Sequence, residues 1–302
     1  MRGPQSAMLP DGMRLHLQHG PIDLVIDASG PGDEVAAAYR QAEARFRTIL
    51  SELVGELPEL RKPAGPAISE RDFRGPTARR MARAVRAHAG SFVTPMAAVA
   101  GAVADEILAA MRDGRDLARA YVNNGGDIAL HLAPGQSYAA GLVSRPDRPR
   151  PDGKCAVTHD MPVRGIATSG RGGRSLCLGI ADAVTVLAQD AAAADAAATL
   201  IANAVTVDHP AIRRVAAETL DPDSDLGKLM VTAAVGSLDD AAVSAALAGG
   251  VAAATHMRDS GLIHGAALCL NERYSVVGTD LSGTLPAAAQ TGGMHRGDRI
   301  SP

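Results

Sequence analysis

Seven apolar residues, Val35, Tyr39, Ala42, Phe46, Ile49, Leu53 and Leu57, recur at steps of four and three through residues 33–57. That spacing lines one side of an α-helix and has no counterpart on a strand. A stripe seven turns long needs a broad apolar surface to lie on, and the rest of the chain offers strands to build one. Residues 14–27 alternate apolar and polar around Gly20-Pro21, which predicts a bent strand or a short hairpin. Further strands are expected at residues 127–132, 138–143, 155–159, 165–168, 183–187, 229–235, 262–270 and 274–277. Strands mixed with helices in this irregular order indicate an α+β fold with mixed or antiparallel sheets and packed helices, not a doubly wound sheet.

The remaining elements follow from their punctuation. Pro58 and the prolines of residues 63–66 are expected to end the first helix. Pro76 stands at the first position of a second helix over residues 77–89, closed by Gly90. Thr94 as N-cap and Pro95 at the first position open a third helix of small side chains, closed by Gly114. Tyr121-Val122 is a strand, and Asn123-Asn124-Gly125-Gly126 turns it into the next. A helix over residues 191–205, a short one opened by Asp208-His209-Pro210, and one over residues 239–257 complete the list. The organisation expected is a flexible start over residues 1–12, one domain over 13–280 with a surface loop at 144–153, and a disordered tail over 281–302.

Composition narrows the function classes. Of 302 residues, 46% are hydrophobic but only 2% aromatic, with no Trp, so the core must be filled by Ala, Val, Leu and Ile. Without exposed aromatics a stacking platform for single strands is not expected, and a formal net charge of -3 supplies no field toward nucleic acid or anionic membrane. The pairs Arg79-Arg80 and Arg213-Arg214 read as helix faces rather than phosphate clamps. Cys155, Cys177 and Cys269 are too far apart for a redox pair and odd in number, so buried free thiols are expected. No apolar run suits a signal peptide or a membrane span, which points to the cytoplasm.

Asp195 and Thr199 are four apart on a helix made largely of alanine, so both side chains leave one face. A carboxylate and a hydroxyl suit a hard cation such as Mg²⁺. The plainer alternative has Asp195 facing the helix dipole and Thr199 bonding its own backbone. Two glycine-rich segments could offer backbone N–H groups to an anion: Gly125, Gly126 and Asp127 in one, Thr168, Ser169 and Gly170 in the other, the latter followed by Arg171 and Arg174. Neither is a P-loop or a dinucleotide fingerprint. No nucleophile elbow is present, and His159, His209, His256 and His264 are not in ligand spacing.

Taken in order, the small-residue helix around Ala98-Val99-Ala100, the stretch from Val122 to Ile128 with Gly-Gly-Asp, the Ile166-Ala167-Thr168-Ser169-Gly170 segment, and Ala194-Asp195 with Thr199 resemble the ApbE flavin-transferase superfamily, especially its short bacterial and archaeal branch. The resemblance implies a single ApbE-like domain. It also implies a divalent metal, usually Mg²⁺, held by Asp195 and Thr199 with a main-chain carbonyl whose nearest equivalent is Ala100. Those enzymes split FAD at its pyrophosphate and attach FMN to a Thr of an acceptor protein. Two departures stand out. Their Lys-Gly is replaced by Ala100-Gly101, and their His-x-x-Asp-Pro-x-x-Gly segment is replaced by Ser175-Leu176-Cys177-Leu178-Gly179-Ile180, so the expected general base is missing.

Three readings follow from the resemblance and its gaps. The chain binds a flavin or a related nucleotide-like diphosphate with a divalent metal and transfers FMN to an acceptor protein; or it keeps the scaffold as a binding protein without chemistry; or it acts on a different small heterocycle, with Arg171 or Arg174 holding a carboxylate and Cys177 open to a new role.

Overall fold

A computed structural model describes residues 3–143, 153–173 and 175–278. Three strands come first, β1 (Gln5–Met8), β2 (Leu15–His19) and β3 (Ile22–Ser29), followed by three helices, α1 (Gly32–Leu60), α2 (Pro76–Arg86) and α3 (Val99–Arg112). The middle of the chain is β4 (Arg119–Asn124), β5 (Asp127–Leu132), β6 (Ser137–Leu142), β7 (Gly153–Thr158), β8 (Gly165–Ser169) and β9 (Ala183–Ala188). Then come α4 (Ala191–Ala204), β10 (Ile212–Ala216), β11 (Met230–Val235), α5 (Asp240–Asp259), β12 (Gly265–Leu270) and β13 (Arg273–Val277).

Nine strands form one sheet in the order β1-β2-β3-β4-β5-β8-β9-β12-β13. Neighbours in space are successive in the chain, and every described pairing is antiparallel. The sheet is therefore a meander into which helices and two small hairpins, β6-β7 and β10-β11, are inserted. Because both edge strands come from opposite ends of the chain, the α+β expectation holds with one sheet spanning the described chain.

Alternation assigns the two faces. Leu24 and Ile26 on β3, Ala120 and Val122 on β4 and Ala129 on β5 pack with α1, α2 and α3 through Phe46, Ile49, Met81 and Ile107. Further along the sheet, Val184, Val186 and Leu268 meet Ile201 and Ala202 of α4 and Val243 and Leu247 of α5. The opposite face, with Leu130, Leu132, Ile166 and Leu187, is covered by Cys155 and Val157 of the β6-β7 hairpin. Strands β9 and β12 are buried at every residue, which is why they read as continuous apolar runs. No helix among the described residues is long and apolar enough to cross a membrane.

Several boundaries differ from expectation. Helix α1 continues through Pro58 to Leu60: the ring displaces the carbonyl of Val54, which lies on the solvent side where water can take it. Residues 5–8, expected in a flexible start, pair with β2. Thr94 caps nothing; its hydroxyl bonds Asp225, and a 3₁₀ turn, Pro95–Ala98, precedes α3. Asp208-His209-Pro210 leads into a turn, closed by the Ile212 N–H on the His209 carbonyl at 2.9 Å, and then into β10 rather than a helix. Residues 144–152 and 279–302, which hold the expected loop and tail, lie outside the described residues.

Candidate functional site

Helices α3 and α4 cross where Gly101 of α3 lies against the backbone of Ala191 and Ala192 of α4. A Cβ on Gly101 would lie 2.2 Å from the carbonyl oxygen of Ala191, so only glycine permits the approach. At this crossing each helix caps the other. Ala98, the N-cap of α3, offers no side-chain acceptor, and Asp195 of α4 takes its place, accepting the Gly101 N–H on Oδ2 at 3.0 Å. In return Asp105 of α3 accepts the N–H groups of Ala191 (3.1 Å) and Ala192 (2.9 Å) in the first turn of α4. Asp190, the N-cap of α4, takes the third, from Ala193 at 2.8 Å. Carboxylates at helix N-termini are stabilised by the orphan N–H groups and the dipole.

The end of the β4-β5 hairpin closes on the same place. Gly125 and Gly126 form its tip with φ of 66° and 115°, and Asn123 Oδ1 accepts the Gly126 N–H at 2.8 Å. Asn124 and Asp127 face one another in register just behind the tip. The Asn124 side chain is on the helix face of the sheet, 4% exposed, and its Nδ2 donates to the Ala100 carbonyl at 3.1 Å. Asp127 Oδ1 accepts the Thr168 N–H at 3.2 Å, which ties in the end of β8.

Three acidic groups therefore converge. Burial, the charge of Asp127 and the charge of Asp105 push the Asp195 carboxyl well above the usual range, against the pull of the Gly101 and Ala100 N–H groups. Burial and the charge of Asp190 push Asp105 up to about 7, against the N–H groups of Ala192 and Ala191 and the charge of Arg80. Such groups are relieved by a proton or by a cation.

Of the residues singled out from the sequence, Asp127, the Thr168 amide, Asp195 and the Ala100-Gly101 peptide are brought together. Gly125 and Gly126 adjoin them, and the outer side of their turn borders a hollow of about 340 Å³ lined also by Asp23, Val25 and Asn123. Ser169 ends β8 on the helix face. The Thr168 hydroxyl belongs to the other face, bonded to Thr185 at 2.8 Å, so only its amide takes part. Thr199 lies one turn along α4 from Asp195, partly exposed, and its hydroxyl makes no hydrogen bond among the described residues. The self-bonding alternative for Thr199 is therefore not what the structure shows.

Ala100 enters differently from the expectation. Asn124 takes the carbonyl edge of the Ala100-Gly101 peptide and Asp195 Oδ2 the N–H edge. The edges of a trans peptide point in opposite directions, placing the two oxygens ~5 Å apart. One small ion at about 2.1 Å from each ligand cannot join that pair.

The candidate donors are all oxygens: the Asp195 carboxyl, the Asp127 carboxyl, which also accepts the Thr168 N–H, and the Thr199 hydroxyl. This chemistry fits a hard cation. No group of three His, Cys, Asp or Glu side chains suited to a metal occurs among the described residues, so such an ion would fill its shell with water or with oxygens from its ligand.

Two other candidates are engaged elsewhere. Arg171 is paired with Asp182 at 2.7 Å, so its charge is spent within the fold. Arg174 lies outside the described residues. Cys177 is buried, donates to Asn203 Oδ1 at 3.4 Å and is pushed up by burial, so it remains a thiol. Asn124, Asp105 and Asp190 were missed in the sequence. Asp105 and Glu106 did carry a signal, as two carboxylates inside an otherwise apolar helix. Glu106 is explained by Arg45 (2.8 Å) and Arg80 (3.0 Å), which leaves Asp105 for the cap. Asn124 was hidden in what reads as a turn.

A family model described as AbpE bacteria matches residues 6–279. The UPF0280 protein of Methanothrix thermoacetophila is 33% identical over 220 residues, covering 70% of this chain and 85% of its own length. The UPF0280 protein of Methanosphaerula palustris is 41% identical over 151 residues, which is 47% of this chain and 54% of that one. Among solved structures, the apo form of the flavinyl transferase ApbE of Pseudomonas stutzeri overlaps 91% of this chain and 93% of its own at a TM-score of 0.41, with 13% sequence identity.

Proposed function

The chain belongs to the AbpE bacteria family, and from that premise we propose that it binds a flavin or a related nucleotide diphosphate together with a divalent metal ion, Mg²⁺ being the natural choice, at the crossing of α3 and α4. The observation that carries this reading is the gathering of Asp195, Asp127 and the unbonded Thr199 hydroxyl, oxygens only, beside the glycine tip of the β4-β5 hairpin. Asp195 and Thr199 would hold the ion, Asp127 would orient it or share in it, and the Gly125, Gly126, Ser169 and Gly170 backbone would border the ligand. The bound ion would neutralise charge on the diphosphate oxygens. In this reading Asp195 has two duties, one oxygen anchored to Gly101 and the remaining lone pairs turned to the ligand.

FMN transfer from FAD to a Thr of an acceptor protein is the reaction that fits this site within the family. The test is incubation with FAD, Mg²⁺ and a Thr-bearing acceptor peptide. Release of AMP matched by flavin on the peptide supports the transferase, and tight FAD binding without AMP release replaces it by the second reading.

That second reading, a binding protein without chemistry, is favoured by residues 175–180. The segment supplies no His, Asp or Pro, and its one reactive residue, Cys177, is a buried thiol bonded to Asn203. A different small heterocyclic substrate has less behind it, because Arg171 is already paired.

A further inference from the structure

A carboxylate that ligates an ion is usually fixed by a hydrogen bond to its other lone pairs, and the group making that bond must itself be held. Here the anchor at 3.0 Å is the N–H of the Ala100-Gly101 peptide in the first turn of α3, with the Ala100 N–H as a second donor to the same carboxyl. Gly101 lies against the Ala191 and Ala192 backbone of α4 with no room for a Cβ, and the N-cap Ala98 gives no side-chain bond. The carbonyl edge of the peptide is gripped by the Asn124 amide at 3.1 Å, from a strand, 24 residues away in sequence. Asn124 is 4% exposed and lies opposite Asp127 in the β4-β5 register, so its backbone is fixed by the sheet.

Resting on the metal-binding reading above, we propose that Asn124 is a positioning residue for Asp195: it clamps the carbonyl edge of the Ala100-Gly101 peptide so that the N–H edge stays aimed at Asp195 and the carboxylate stays turned for its ion. An apolar residue of similar size would fill the same space without the grip. The peptide would then lose the restraint on its carbonyl edge, and the N–H edge that orients Asp195 would be held less firmly. A main-chain carbonyl buried without its side-chain donor would also be left to the helix alone.

The probe is Mn²⁺ alone, titrated calorimetrically into the full chain, with Asn124→Leu and Asn124→Ala measured beside the wild type and Asp195→Ala as the control. The expected result is wild-type binding, loss in Asp195→Ala, and weakening of about tenfold or more in both Asn124 variants, the range usual for partners behind a metal ligand. Hydrogen exchange of the Gly101 amide in the metal-free protein should accelerate at least tenfold in the same variants. A purely structural role would lower the melting temperature while leaving Mn²⁺ affinity of the folded variant unchanged. Affinities within twofold of wild type, with unchanged Gly101 exchange, overturn the assignment of Asn124 alone. Absence of Mn²⁺ binding by the wild type overturns both it and the reading on which it rests. The Ala variant guards against a Leu variant that does not fold.

Discussion

Asp195 and Asp105 cap each other's helices: Asp195 on α4 accepts the N–H of Gly101 in the first turn of α3, and Asp105 on α3 accepts those of Ala191 and Ala192 in the first turn of α4. The exchange locks the crossing at which the candidate site is built. It also gathers the carboxyl groups of Asp195, Asp105 and Asp190 about one crossing.

Replacing Asp105 by Ala leaves two buried N–H groups without an acceptor, each costing about 1–3 kcal/mol. Relief of the charge beside Asp190 offsets part of this. A net loss of about 2 kcal/mol, or about 5 °C in Tm, is expected near pH 6. Thermal unfolding measures it, and an unchanged Tm would remove Asp105 from the architecture of the crossing.

The pH dependence of that residue has a definite sign. Folding raises the Asp105 pKa to about 7, so between the usual carboxylate range and pH 7 the folded state holds more protons than the unfolded one. Its stabilising contribution is present at low pH and is lost as pH rises through about 7. His88 and His131, pushed down mainly by burial, act in the opposite direction, so the difference between proteins is the useful quantity. In urea titrations without divalent ions, the stability of wild type relative to Asp105→Asn should decline from pH 5 to pH 8. A constant or growing difference would show that Asp105 is charged throughout.

Two glycine substitutions should move stability in opposite directions. Gly101→Ala drives a methyl group to 2.2 Å from a backbone oxygen that cannot yield without parting α3 from α4, and a loss of about 3 kcal/mol or more is expected. Gly55, inside α1 with nothing within 4 Å of an added Cβ, should gain about 0.5–1 kcal/mol on conversion to Ala. Chemical denaturation of the two variants checks both signs.

Cys177 should be silent toward thiol reagents in the folded protein, because burial disfavours its thiolate and its S–H donates a hydrogen bond to Asn203 Oδ1. Labelling with a chromogenic disulfide should proceed at the rate of unfolding. Fast labelling of Cys177 in native buffer would reopen a chemical role for it.

The parts of this structure set by local pattern were legible in the sequence. The step of four and three marked α1, and largely apolar runs marked β9 and β12. What failed to show were consequences of three-dimensional contact. Gly101 and Asp195 are 94 residues apart, and nothing in either segment marks them as partners. Asn124 reads as one of two turn asparagines, and only strand alternation sends its side chain into the core while Asn123 stays at the tip. The resemblance paired the Ala100 carbonyl with Asp195, whereas the contacts that form run from the Gly101 N–H to Asp195 and from Asn124 to that carbonyl. Pro58 and Pro210 were read alike as helix signals, although one faces solvent inside a helix and the other leads into a strand.

The most direct test is the thermal stability of the chain with saturating FAD, with and without Mg²⁺, for wild type and Asp195→Asn. The account predicts a rise in Tm that needs both ligands, corresponding to about 2.7 kcal/mol at a hundredfold excess over Kd, and its loss in a variant that still folds. No rise in the wild type, or an equal rise in Asp195→Asn, would contradict it.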